Sequence, residues 1–156
     1  MEEINKNQEN SSEKDKESIT ARFDRERREW QEKIAGLTQR MYDMGQVSDV
    51  LVDVLSQRQV ALEYTHTLMQ LITGINAKLK KLKKERFIYY TQESDYRLDK
   101  EPRNMFIDVD LEKHVKTLET FSTHLSYMRG TVDSLDHMYY GIKWRIELEQ
   151  YRRKQH

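Results

Sequence analysis

The chain has 156 residues, 27 of them basic and 27 acidic, so its formal net charge is zero and any electrostatic attraction must come from segregation of charge along the chain. Apolar residues make up 37% and charged residues 35%, too polar for a thick globular core but suited to long helices that share narrow seams. The lack of cysteine excludes disulfides, thiolate chemistry and Cys-based zinc sites and fits a reducing compartment; five glycines and one proline, Pro102, leave few turns, so an all-α fold is predicted.

Residues 1–18, MEEINKNQENSSEKDKES, carry six acids and three lysines with only Met1 and Ile4 as larger apolar groups. They cannot bury enough surface to offset the entropy of ordering, which predicts a disordered acidic tail. The tail has no apolar run of the signal-peptide kind, and no later stretch approaches the roughly 18 uncharged apolar residues of a membrane span. A soluble, cytoplasmic protein without a membrane partner is expected.

From residue 19 the pattern changes. Trp30, Ile34, Leu37, Met41 and Met44 recur in steps of three and four, the spacing of one helix face, so residues 19–46 read as a helix conditional on a partner. Two three-residue steps meet at Met44 and Val47 around Gly45, a stammer that predicts a bend or break. A second seam runs through Val47, Leu51, Val54, Ala61, Leu68, Ile72, Ile75, Leu79 and Leu82, interrupted by Arg58 and Thr65, and predicts a long helix over 47–90. Residues 91–107 lose helical periodicity and contain Pro102, which reads as a loop. Asp108 or Asp110 then caps a C-terminal helix over 108–153 with a seam from Leu111, Val115 and Leu118 through Phe121, Leu125, Met128, Val132, Leu135, Tyr139, Ile142 and Ile146. Gly130 and Gly141 lie off that seam and suggest close helix approach or slight bending. The architecture is a long helical hairpin with coiled-coil-like seams. Because two such helices bury only part of their surface, homo-oligomerisation is expected to complete it.

The densest chemistry lies at the end of the second helix, in KLKKLKKERFIYYT from Lys78 to Thr91. Lys78, Lys80, Lys81, Lys83, Lys84 and Arg86 place six cations against one acid, Glu85, and Phe87, Tyr89 and Tyr90 follow at once. Cations that neutralise phosphates beside rings that stack on bases are what a single-stranded nucleic acid requires. The plain alternative is a solvated lysine face with Phe87 and Ile88 packed into the hairpin. Arg86 falls on the seam four residues after Leu82, so the apolar strip is expected to end there and the chain to leave its partner. The five histidines form no pair at three- or four-residue spacing, and Glu63-x-x-His66 is a single copy of a unit that di-iron bundles use twice. Trp30 and Trp144 read as packing residues, with Trp144, beside Lys143 and Arg145, also placed to stack on a base or guanidinium. No phosphate loop, nucleophile elbow or paired-acid motif is present, so no enzyme activity, cofactor or metal is expected.

Lys84-x-Arg86 followed by Tyr89-Tyr90-Thr91, then a polar loop, Phe106-Ile107-Asp108-Val109-Asp110-Leu111 and a late Gly-Ile-Lys-Trp-Arg, resembles the phage UvsY recombination mediators over about Val47 to Arg153. The chain has Gln92 where members commonly place Gly. The resemblance implies a protein of phage DNA recombination, repair and replication that binds single-stranded DNA, forms ring-like homo-oligomers and helps a RecA-like recombinase displace a single-strand-binding protein. It implies Lys84 and Arg86 as the basic contact pair and the second hairpin helix as the assembly element. Together the two lines of reading give Lys80, Lys81, Lys83, Lys84, Arg86, Tyr89 and Tyr90 as DNA-binding residues, in the host cytoplasm if phage-encoded. The competing expectation is a coiled-coil scaffold or assembly chaperone that binds no nucleic acid.

Overall fold

A computed structural model describes residues 18–93 and 98–155. The tail expected over 1–18 lies outside these residues except for Ser18. Three helices and no strand occur among the described residues: α1 Ile19–Arg40, α2 Val47–Ile88 and α3 Lys100–Lys154. The chain is all-α, and α2 and α3 form the long antiparallel hairpin.

Helix α1 is started by Ser18, whose backbone is extended and whose side-chain oxygen accepts the Ala21 N–H at 3.1 Å. Arg22–Glu26, Arg25–Glu29 and Asp24–Arg27 pairs line its surface at helical spacing. Phe23, Trp30 and Leu37 recur every seven residues and are all buried. Burying a side chain such as Phe23 or Leu37 contributes about 1.5–3 kcal/mol relative to exposure. The partner on which this helix depends is therefore the chain's own hairpin: the three side chains join one core with Val50, Val54, Ala61 and Leu68 of α2 and Leu125, Met128, Val132 and Leu135 of α3.

The expected break after α1 occurs where the stammer lies. In the turn between α1 and α2, Asp43 Oδ1 accepts the Gly45 N–H at 2.9 Å and Asp43 Oδ2 accepts from the Gln46 side chain at 2.9 Å. Arg145 of α3 closes the same turn by donating to Met41 O at 2.8 Å and Tyr42 O at 3.2 Å. A cation on the last carbonyls of a helix satisfies acceptors that have no intrahelical donor.

The two interruptions in the α2 seam are filled by polar contacts. Arg58 forms a two-pronged pair with Asp136 of α3, through Nε and, at 3.3 Å, through Nη2. Thr65 is buried and donates to Leu62 O at 2.7 Å. On α3 a second line of burial, His124, Thr131 and Met138, runs beside the expected seam because α1 covers a second face of that helix. Gly130 and Gly141 do not mark close approaches: a methyl at Gly130 would meet open space, and one at Gly141 would touch Met41 Cε at an ordinary 3.6 Å.

Two boundaries differ from expectation. The segment 91–107 is not one long loop: Tyr89–Glu93 continues α2 as a short π-helical turn, and α3 already begins at Lys100. Asp99, not Asp108 or Asp110, is the N-cap residue. Pro102 lies in the first turn of α3, where the N–H it lacks would have no intrahelical acceptor, so it fits the helix it was expected to exclude.

Candidate nucleic-acid interface

The first turns of α1 meet Leu71 of α2 and Phe121 of α3, and Ile19 and Thr20 border a shallow cleft with Lys116, Thr117 and Thr120 of α3. Beyond the start of α1 the hairpin continues, among the described residues, as a two-helix arm. Ile72, Ile75, Leu79 and Leu82 are half-buried along it, and Ile107 and Leu111 are its buried residues on α3. The arm carries the candidate site.

With Leu79 and Leu82 turned to α3, the helical period sends Lys78, Lys80, Lys81, Lys83 and Lys84 outward, and all five are exposed. Lys81 lies 3.9 Å from Glu85, a pair too exposed to hold it firmly. Among the described residues Lys80, Lys83 and Lys84 have no carboxylate partner. The adjacent stretch of α3 is mixed in sign, with Asp108, Asp110 and Glu112 among Arg103, Lys113 and Lys116. Lys83 borders a cleft of about 390 Å³ with Leu79, Leu111 and Val115, and Asp108 and Glu112 lie on its opposite wall.

The tip differs from the sequence expectation. The apolar strip does not end at Arg86, and the helices do not part there. Arg86 Nε lies 3.4 Å from Asp110 Oδ2, and the Tyr90 hydroxyl donates to the same oxygen at 3.0 Å. The Tyr90 ring stacks on Phe106 with centroids 5.9 Å apart, and Tyr89 meets Tyr90 edge-on at 5.1 Å. Burial of its hydroxyl and the bond to Asp110 raise the Tyr90 pKa above its ordinary value. Phe87 carries the Arg103 guanidinium over its ring at 4.6 Å, and Arg103 also donates to Thr91 Oγ1 at 3.5 Å. The cause is the early start of α3, which brings Arg103, Phe106 and Asp110 alongside the end of α2. Of the seven residues singled out from sequence, Lys80, Lys81, Lys83 and Lys84 present charge outward. Tyr89 is 42% exposed, whereas Arg86 and Tyr90 are engaged by the chain itself.

Sequence reasoning did not find Arg103 or Asp110 as parts of this site. Their signal, an Asp at a seam-facing position opposite an Arg, becomes readable only when the helix register is known. Elsewhere, Trp30 packs in the core but Trp144 does not: it is 70% exposed on the outer side of α3. Glu63 and His66 are both exposed and bond Gln59 and Gln70 respectively, and among the described residues no three side chains converge to hold a metal ion. Among the same residues, no helix is long and apolar enough to cross a membrane.

The fold and the site define a helical hairpin clasped by a third helix and extended by a lysine-bearing arm. Compared with known proteins, the chain matches no family model, no curated protein and no solved structure.

Proposed function

We propose that the chain is a non-enzymatic recombination mediator that binds single-stranded DNA along its arm and helps a RecA-like recombinase load onto strands covered by a single-strand-binding protein. The observation that carries the DNA-binding part is the outward, exposed row Lys80, Lys81, Lys83 and Lys84 on the α2 side of the arm. The recombinase and the single-strand-binding protein enter through the resemblance in Lys84-x-Arg86 and Tyr89-Tyr90-Thr91.

Self-association belongs to the same reading. Tyr140, Trp144, Leu148 and Tyr151 succeed one another on α3 at four- and three-residue steps and are 49–70% exposed, an apolar line suited to a further helix. Several arms displayed by one oligomer would bind one strand multivalently, so that modest single-arm affinity becomes avidity. Light scattering coupled to size exclusion is expected to give a mass above that of one chain; a monomer at micromolar concentration would remove this part.

The main test is binding to a fluorescent single strand across a salt series. Affinity is expected to fall linearly on a log–log plot, and replacing Lys84 and Arg86 with Ala to flatten the slope by roughly 0.7 for each phosphate that is no longer neutralised. Absence of binding at about 50 mM salt, where charge neutralisation is strong, overturns the reading. The engagement of Arg86, Phe87 and Tyr90 within the tip favours the other reading, a coiled-coil scaffold or assembly chaperone. That reading gains if the protein assembles but no strand binds.

A further inference from the structure

Asp110 lies on the Nε side of the Arg86 guanidinium, one of the edges through which that group can bind a phosphate. Its Oδ2 is 3.4 Å from Arg86 Nε, an ion pair, and accepts from the Tyr90 hydroxyl at 3.0 Å, so one oxygen ties two side chains at the end of α2 to α3. The pair is open to water, with the Arg86 side chain 48% and the Asp110 side chain 29% exposed. An exposed pair of this kind is weak enough for another anion to replace it. The guanidinium is otherwise well suited to phosphate, since its fork matches anionic oxygens better than an ammonium does. Tyr90 is anchored independently by stacking on Phe106, so Asp110 can release Arg86 while the tip keeps its shape.

The geometry points to Asp110 as an internal stand-in for phosphate: it holds Arg86 in the unbound protein and yields it to the backbone of a single-stranded nucleic acid. Asp110 thereby acts through Arg86 as a positioning residue that lowers affinity and keeps the guanidinium from binding stray anions. This inference rests on the proposed single-strand binding and adds a regulator to that same site.

Asp110→Asn tests it, because the amide keeps an oxygen to accept from Tyr90 and loses only the charge that competes for Arg86. Anisotropy titrations of a fluorescein-labelled oligo(dT) would compare the full chain, D110N, R86A and the double variant, with circular dichroism verifying helicity. D110N is expected to tighten binding about threefold, the scale of one exposed ion pair. In the R86A background that gain should vanish, which makes the pairwise coupling the diagnostic quantity. Glu112→Gln removes the same charge from the same stretch of α3, where its partner is Lys116, and measures the general electrostatic effect. A D110N strand affinity equal to or below that of the unaltered chain overturns the inference and leaves the single-strand reading standing. So does a gain that persists in R86A or is matched by E112Q. Absence of binding by all variants, the unaltered chain included, removes the reading and the inference with it.

Discussion

Glu26 ties three helices to one carboxylate. It accepts from Arg22 on its own helix at 2.8 Å and from the Tyr64 hydroxyl of α2, and it lies 3.0 Å from Nε2 of His124 on α3. Burial alone would raise the Glu26 pKa, but the bonds from Tyr64, Arg22 and His124 together hold it below the usual range. His124 is fully buried, stacked on Phe23 at 4.0 Å, and its Nδ1 has no hydrogen-bond partner among the described residues. Burial lowers its pKa against the opposing pull of Glu26. Both groups thus bind protons more readily in the unfolded chain, so stability rises with pH across their titrations. The contribution of His124 is present above pH 6.5 and is lost as pH falls below it, and that of Glu26 is lost below 4.5. Urea denaturation at pH 7.5 and 5.5 is expected to show lower stability at the acid value, and His124→Gln to shrink the difference; equal sensitivity in that variant would contradict the assignment. None of this was legible in the sequence, because His124 and Glu26 are separated by 98 positions and no spacing rule pairs them.

Helix α1 shows how far periodicity reaches at the level of an element. Its seven-residue repeat predicts an apolar face, but only the folded chain supplies the surface that the face covers. Trp30 is the central anchor, 6% exposed and capped from outside by the Lys33 ammonium 4.7 Å from its ring. Trp30→Ala should destabilise the docked helix by about 3–5 kcal/mol, the usual cost of deleting a large buried aromatic side chain. Limited trypsin digestion is expected to cut the variant first between Arg22 and Arg28, with the hairpin surviving longer; simultaneous loss of both would mean that α1 cannot detach alone. The seams of α2 and α3 were legible for a physical reason, since two-sided burial repeats with the helical turn. The start of α3 was not. A polar stretch with a proline resembles a loop unless the proline occupies the first turn, and that depends on Asp99 being the cap. The lysine row followed from the seam because whatever is off the seam faces water. The Arg86–Asp110 contact did not, because it depends on where α3 begins.

The molecule as a whole is graded along its length. Around Val54, Ala61, Met128 and Leu135 three helices share a core, whereas among the described residues the end of the arm, from about Leu82 to Leu111, is held by two. Opening should therefore cost least in the arm, and hydrogen exchange is expected to give its amides weaker protection than those of α2 and α3 beneath α1. Uniform protection along both helices would contradict the gradient. The Arg58–Asp136 pair fixes how α2 and α3 are aligned within the three-helix part. About eight turns farther along, Arg86 meets Asp110 in nearly the same alignment. The hairpin is thus a ruler with its zero mark in the bundle. Adding one heptad to each helix between the two pairs would carry the tip outward by about 10 Å while restoring the same neighbours. Adding a heptad to only one would separate Arg86 from Asp110. Reach and chemistry are thereby independent variables, and matched insertions would lengthen the arm without touching the lysine row or the Arg86–Asp110 contact.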